Sequence, residues 1–174
     1  YEIFHKKDFD KCLGTSVGAL NCLLIAQAYL NKSPEIFKTL WLEKIKKNKQ
    51  VYKRNRFKYF TFRPPYNFNP LKSLLREVID FEKIMKMEKE IVLSSVDLIT
   101  SKVFTISNHD DITPENFLEA AIASASVPPL FPPIPFKGCL LVDGGIRDNA
   151  PVSSVIQSWE SDSILIVLCN NKDL

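Results

Sequence analysis

The chain has 174 residues, 45 % hydrophobic and 25 % charged, with a net charge of +3. That length suits one domain, spanning 1–174, with room for a sizeable core, and the proportions are those of an ordinary soluble globular protein. No apolar run reaches the length of a membrane span, and the opening Tyr1-Glu2-Ile3 meets charge too soon for a signal peptide, so a cytoplasmic or peripheral membrane location is expected.

Phe9 to Leu13 can form a short strand ahead of Gly14-Thr15-Ser16-Val17-Gly18. This G-x-S-x-G has the form of a nucleophile elbow, where a strand turns sharply into a helix and holds a serine hydroxyl clear of the backbone. Gly14 and Gly18 fit that reading, because a tight turn brings flanking positions against neighbouring backbone. Val17 to Leu30 then reads as a helix apolar on nearly all sides, which is the pattern of a buried one.

Ser33 and Pro34 mark the next helix start, with Ile36, Phe37, Leu40, Trp41 and Ile45 on one face. Trp41 is expected to pack rather than to bind a ligand. Lys44 to Arg63 then carries nine basic residues and no acidic one, so the net +3 leaves −6 for the rest of the chain. Tyr52, Phe57, Tyr59, Phe60 and Phe62 are interleaved with that charge. Such a segment, an insertion over about 44–68, suits an anionic membrane surface, where each basic group contributes about 1 kcal/mol. It would equally suit single-stranded nucleic acid, although nothing else supports that and no nucleic acid is expected. A solvated loop with some aromatics folded inward is the plainer alternative.

Asn69-Pro70 starts a helix to about Ile79, and Lys83 to Glu90 is predicted helical. Ile91–Thr100 and Lys102–Ser107 are rich in β-branched residues and read as paired strands, with Asn108 to Asp111 as a turn. Thr113-Pro114-Glu115 opens another helix, with Phe117, Leu118, Ala121 and Ile122 inward. Five prolines between Val127 and Pro135 then force a stiff extended loop. Leu140 to Val142 is a strand delivering Asp143-Gly144-Gly145. Pro151 begins a last helix to about Trp159, and Ile164 to Cys169 reads as a buried strand. Strands alternating with helices predict an α/β fold, with a mainly parallel central sheet flanked by helices.

Cys12, Cys22, Cys139 and Cys169 have no C-x-x-C spacing and are expected to be reduced and buried. With only His5 and His109 and no clustered ligands, neither a structural metal nor a cofactor is expected.

A serine hydroxyl needs a base within hydrogen-bond reach. The order serine, acid, histidine would require Ser16, then Asp80 or Asp97, then His109, but His109 sits in a polar turn. Asp143 is the stronger candidate, since it ends an apolar strand and precedes two glycines. It would take the Ser16 proton as base and return it to the leaving group as acid.

Gly14-Thr15-Ser16-Val17-Gly18-Ala19-Leu20-Asn21 resembles the serine motif of patatin-like phospholipases. The Ala123-Ser124-Ala125-Ser126-Val127-Pro128 stretch resembles the segment those proteins carry before their acid, and Asp143-Gly144-Gly145 with Asn149-Ala150-Pro151 resembles the acid motif itself. The resemblance implies a patatin-like fold and a lipid acyl hydrolase of phospholipase A type. It would cleave glycerolipid or phospholipid esters through a Ser-Asp dyad and an acyl-enzyme, with no metal in the chemistry. Ser16 matches the nucleophile and Asp143 the acid/base, with Gly14, Val17, Gly18, Gly144 and Gly145 in support.

The family carries a glycine-rich oxyanion loop after its first strand, and this sequence has no glycine before Gly14. The chain, opening without methionine, is therefore expected to be N-terminally incomplete, lacking that strand and loop. Val17 N–H remains as the inferred oxyanion donor. Losing one such donor costs about 100- to 1000-fold in rate, so the parent protein is expected to be active and the chain weak or inert. The alternatives are a catalytically inactive patatin-like domain that binds lipid or protein, and another serine hydrolase or acyltransferase that depends on His109.

Overall fold

The computed structural model describes residues 9–54, 64–147 and 163–167. Strand β1 (Lys11–Thr15) leads through Ser16 into helix α1 (Val17–Asn31). The strand runs two residues beyond the expected Leu13, because Gly14 and Thr15 still pair with Leu93 and Ser94 of β4 (Glu90–Asp97). Helix α1 is buried as its composition predicts, with Ala19, Leu23, Leu24 and Ala26 wholly enclosed.

Helix α2 (Glu35–Lys38) widens into a π-turn over Thr39–Lys44. Leu40 is fully buried, while Ile36, Phe37, Trp41 and Ile45 pack at the margin of the core. Trp41 is a packing residue, and its Nε1 donates to Asn21 Oδ1 of α1 at 3.1 Å. A two-stranded ribbon of β2 (Lys53–Arg54) and β3 (Tyr66–Asn67) follows. Helix α3 (Asn69–Val78) carries Pro70 in its first turn, where a missing N–H costs nothing.

The helix expected over Lys83–Glu90 is instead one turn, α4 (Phe81–Ile84), with Asp80 as its cap. The rest is held open by side chains from a distant turn. Asn108 Nδ2 donates to the carbonyls of Ile84 and Lys89 at 2.8 and 3.1 Å, and the His109 ring bonds the Met87 carbonyl at 3.1 Å. Those carbonyls are thereby satisfied without a helix.

Strand β4 pairs with β5 (Val103–Ser107), and helix α5 (Pro114–Ser124) starts at a capping box in which Thr113 Oγ1 accepts from Asn116 N at 3.1 Å. β6 (Ile134–Phe136) and β7 (Cys139–Asp143) complete the described strands. The fold is α/β with helices packed on a central sheet, in the order β1-β4-β7-β6, and β5 on the other edge of β4. The elbow strand β1 lies parallel to β4, while the β4–β5, β4–β7 and β6–β7 pairs are antiparallel. Two of those antiparallel pairs follow from connections too short for a crossover.

One edge of β4 serves two strands in succession. β1 covers Glu90–Ser94 and β7 covers Ser95–Asp97, running the opposite way. The C-terminal ends of β1 and β7 therefore meet head to head beside Ser94 and Ser95.

At the tail, residues 163–167 form no strand, and Val167 is 67 % exposed, against the expected buried strand. An apolar run is buried only where an edge or face receives it, and no described strand registers with this one. The predicted Pro151 helix, Cys169 and Asn149-Ala150-Pro151 lie outside the described residues.

Candidate active site

Ser16 has φ 56° and ψ −126°, a backbone conformation costing a residue with a Cβ on the order of 1–3 kcal/mol. Such strain persists only where the surroundings over-determine it. Here the strand ladder fixes one side and the buried helix α1 the other. The turn also depends on Gly14, since a Cβ there would stand 2.3 Å from the Gly18 carbonyl oxygen. Gly18 does not share that constraint, because a Cβ at its own position meets nothing within 4 Å. The motif thus needs one glycine for clearance, and the other supplies the backbone it must clear.

Asp143 is 3 % exposed at the end of β7. Its Oδ2 accepts the Ser16 hydroxyl at 2.6 Å, and its Oδ1 accepts Gly145 N–H at 2.7 Å. Both oxygens are therefore held and the carboxylate is aimed. Gly144 is needed for clearance as well, because a Cβ there would lie 2.7 Å from the Ser94 carbonyl oxygen and 2.9 Å from Thr15 Cγ2. Val17 is the first residue of α1, and first-turn N–H groups have no intrahelical acceptor.

The alternative triad is not assembled. Ser107 pairs with Val92, so His109 lies beyond the start of β4, whereas Ser16 lies past Ser94 toward its other end. Asp80 Oδ1 caps α4 by accepting Lys83 N at 3.1 Å. Asp97 Oδ2 accepts the Thr100 hydroxyl at 2.6 Å and its Oδ1 accepts Leu140 N at 3.2 Å. All three have structural posts away from the elbow.

Ser124 was not legible as part of the site. It is fully buried at the end of α5, where its Oγ accepts Ser16 N–H at 2.9 Å and donates to the Ser94 carbonyl at 2.6 Å. Two residues on, the Ser126 carbonyl accepts Asp143 N–H at 3.0 Å. The sequence marks this stretch, Ala123 to Pro128, through its resemblance to the segment before the acid, but gives its two hydroxyls no role.

The basic segment is described only as far as Arg54. Lys44 Nζ bonds Glu77 Oε1 at 2.6 Å. Tyr52 folds inward, edge-on to Tyr66 at 4.8 Å and to Phe131 at 5.8 Å, and Phe131 stacks on Phe68 at 3.8 Å. Phe57, Tyr59, Phe60 and Phe62 lie outside the described residues. Among the described residues, no helix is long and apolar enough to cross a membrane, and no three His, Cys, Asp or Glu residues gather as a metal site.

The described residues thus join a serine on a strained elbow to a buried aspartate before two glycines, on the sheet of an α/β fold. The sequence model of the patatin-like phospholipase family matches residues 3–156, and the chain belongs to that family, whose name implies hydrolysis of lipid esters. It is similar to the lysophospholipase NTE1 of Scheffersomyces stipitis, 58 % identical over 33 residues that cover 19 % of this chain and 2 % of that protein. It is also similar to the lysophospholipase NTE1 of Lodderomyces elongisporus, 63 % identical over 30 residues, or 17 % of this chain and 2 % of that one. The matched stretch thus spans about 2 % of the length of these curated relatives.

Proposed function

We propose that the chain is a single patatin-like domain that hydrolyses acyl-lipid esters, phospholipid or lysophospholipid, through a Ser16–Asp143 dyad. The observation that carries this reading is the 2.6 Å hydrogen bond from Ser16 Oγ to Asp143 Oδ2 at the strained elbow. In acylation, Ser16 Oγ attacks the ester carbonyl carbon as its proton passes to Asp143 Oδ2. The tetrahedral oxyanion is met by Val17 N–H. Collapse expels the alkoxide, which takes the proton from Asp143 and leaves an acyl-enzyme. Water then attacks the acyl carbon with Asp143 again as base, and Ser16 leaves protonated.

An anionic membrane surface is the partner proposed for Lys44–Arg63. The ribbon at the root of that segment is tied to the proline-rich loop, through Tyr66 N–H to the Leu130 carbonyl at 3.2 Å and through the Tyr52–Phe131 contact. That loop begins at Val127, one residue past the carbonyl that holds Asp143. A segment attracted to anionic lipid would therefore bring the dyad to the same surface.

The test is labelling of the full-length protein with a fluorophosphonate, read at Ser16 by peptide mass spectrometry. Release of fatty acid from lysophosphatidylcholine and diacyl phosphatidylcholine is measured alongside. Ser16→Ala should abolish both signals, and Asp143→Asn should lower them by about 100-fold or more. Absence of label on a folded wild-type protein would favour a lipid- or protein-binding module without catalysis.

A further inference from the structure

The register of β1 on β4 identifies the bond that the elbow has to break. Glu90 N–H donates to the Asp10 carbonyl at 2.9 Å, and Lys11 is the Cα partner of Glu90. In a parallel ladder that phase repeats every two residues. For the pair Thr15 and Ser94 it calls for a rung from Ser16 N–H to the Ser94 carbonyl. The direct rung is replaced: Ser16 N–H donates instead to Ser124 Oγ at 2.9 Å. The two groups left over are the two that Ser124 Oγ bonds, accepting from Ser16 N–H and donating to the Ser94 carbonyl.

We propose that Ser124 is a positioning residue, its hydroxyl spliced into the last rung of the β1–β4 ladder so that the elbow can leave the sheet without orphaning either backbone group. The same segment indexes the acid. The Ser126 carbonyl takes Asp143 N–H, and the Ser126 hydroxyl returns to the Ile122 carbonyl at 2.8 Å, which fixes that carbonyl to α5. One helix end thus sets nucleophile and acid relative to each other. Ser124 touches no reacting atom. It acts through the Ser16 backbone, and its consequence for rate rests on the hydrolase reading.

The experiment compares the full-length wild type with Ser124→Ala, with Ser124→Thr, which keeps the hydroxyl, and with Thr113→Ala. The last removes the cap at the opposite end of the same helix and so costs stability without reaching the elbow. Two quantities are read beside Tm: hydrogen exchange at the Ser16 amide, resolved by fragmentation mass spectrometry, and the rate of fluorophosphonate labelling with kcat and KM on a soluble ester. Ser124→Ala should speed Ser16 amide exchange by about tenfold or more and lower labelling and kcat by about 100-fold, as a displaced nucleophile does, with KM near wild type. Ser124→Thr should recover most of both, and Thr113→Ala should change only Tm. Equal Ser16 exchange in Ser124→Ala and Thr113→Ala overturns the proposal, as does faster exchange with unchanged labelling. If the wild type takes no label, the hydrolase reading fails on its own, and Ser16 exchange alone decides whether Ser124 holds the elbow.

Discussion

Ser16 and Asp143 stand 127 residues apart in the chain and are joined by a 2.6 Å hydrogen bond. What brings them together is a pair of neighbours on a third strand. Thr15 faces Ser94 and Asp143 faces Ser95, so each catalytic candidate is placed by counting along β4. Three consequences for measurement follow from the residues around this junction.

Gly14 and Gly18 should respond in opposite ways to the same substitution. Gly14→Ala puts a Cβ 2.3 Å from the Gly18 carbonyl oxygen, and overpacking against backbone is expected to cost about 1–3 kcal/mol or more. Gly18→Ala meets nothing within 4 Å and lies in the first turn of α1, where removing a glycine should gain up to about 1 kcal/mol. Urea unfolding of the two variants checks this. Equal destabilisation would mean that the elbow is not packed as described.

Asp97 should contribute to acid sensitivity. The Thr100 hydroxyl, with backbone N–H groups of Leu140, Ile99 and Thr100, holds its carboxyl below the usual aspartate range in spite of opposing burial. A carboxyl whose pKa is depressed by folding binds its proton more readily in the unfolded chain. Its contribution is therefore complete above the unfolded value near 4 and is lost as pH falls through the lower folded value. Asp97→Asn should reduce stability at pH 7 and flatten the loss between pH 5 and pH 2. An unchanged slope in urea titrations across that range would remove Asp97 from the account.

Cys12 and Cys22 flank the elbow as free thiols, with their sulfurs 2.8 Å apart. The hydrogen bond with Cys12, followed by burial, pushes the Cys22 thiol well up. Little thiolate is then present at neutral pH, and the thiolate is the reactive form. Iodoacetamide under native conditions should label the half-buried Cys12 before Cys22, with Cys22 reacting only on unfolding. Rapid native labelling of Cys22, mapped by mass spectrometry, would contradict this.

The fold was readable where the deciding chemistry is local. Thr113-Pro114 and Asn69-Pro70 start helices because a cap and a missing N–H act within one turn. Lys83–Glu90 misled because its charge pattern suits an exposed helix, whereas its carbonyls are claimed by Asn108 and His109, about twenty residues away. The same division holds at the site. Ser16 and Asp143 sit in glycine-marked motifs whose backbone needs are local. Ser124 is defined by a ladder phase, which exists only after β1 and β4 have paired.

Because the two strand ends abut on one edge of β4, the pair they carry is a coincidence detector for assembly. A chain with β1 docked but β7 absent has a bent serine and no proton acceptor. With β7 docked alone, it has a carboxylate and nothing to activate. On the proposed dyad, the hydroxyl gains its nucleophilicity only once segments from both halves of the sequence have found the same strand, so a probe that reports on Ser16 also counts completed molecules.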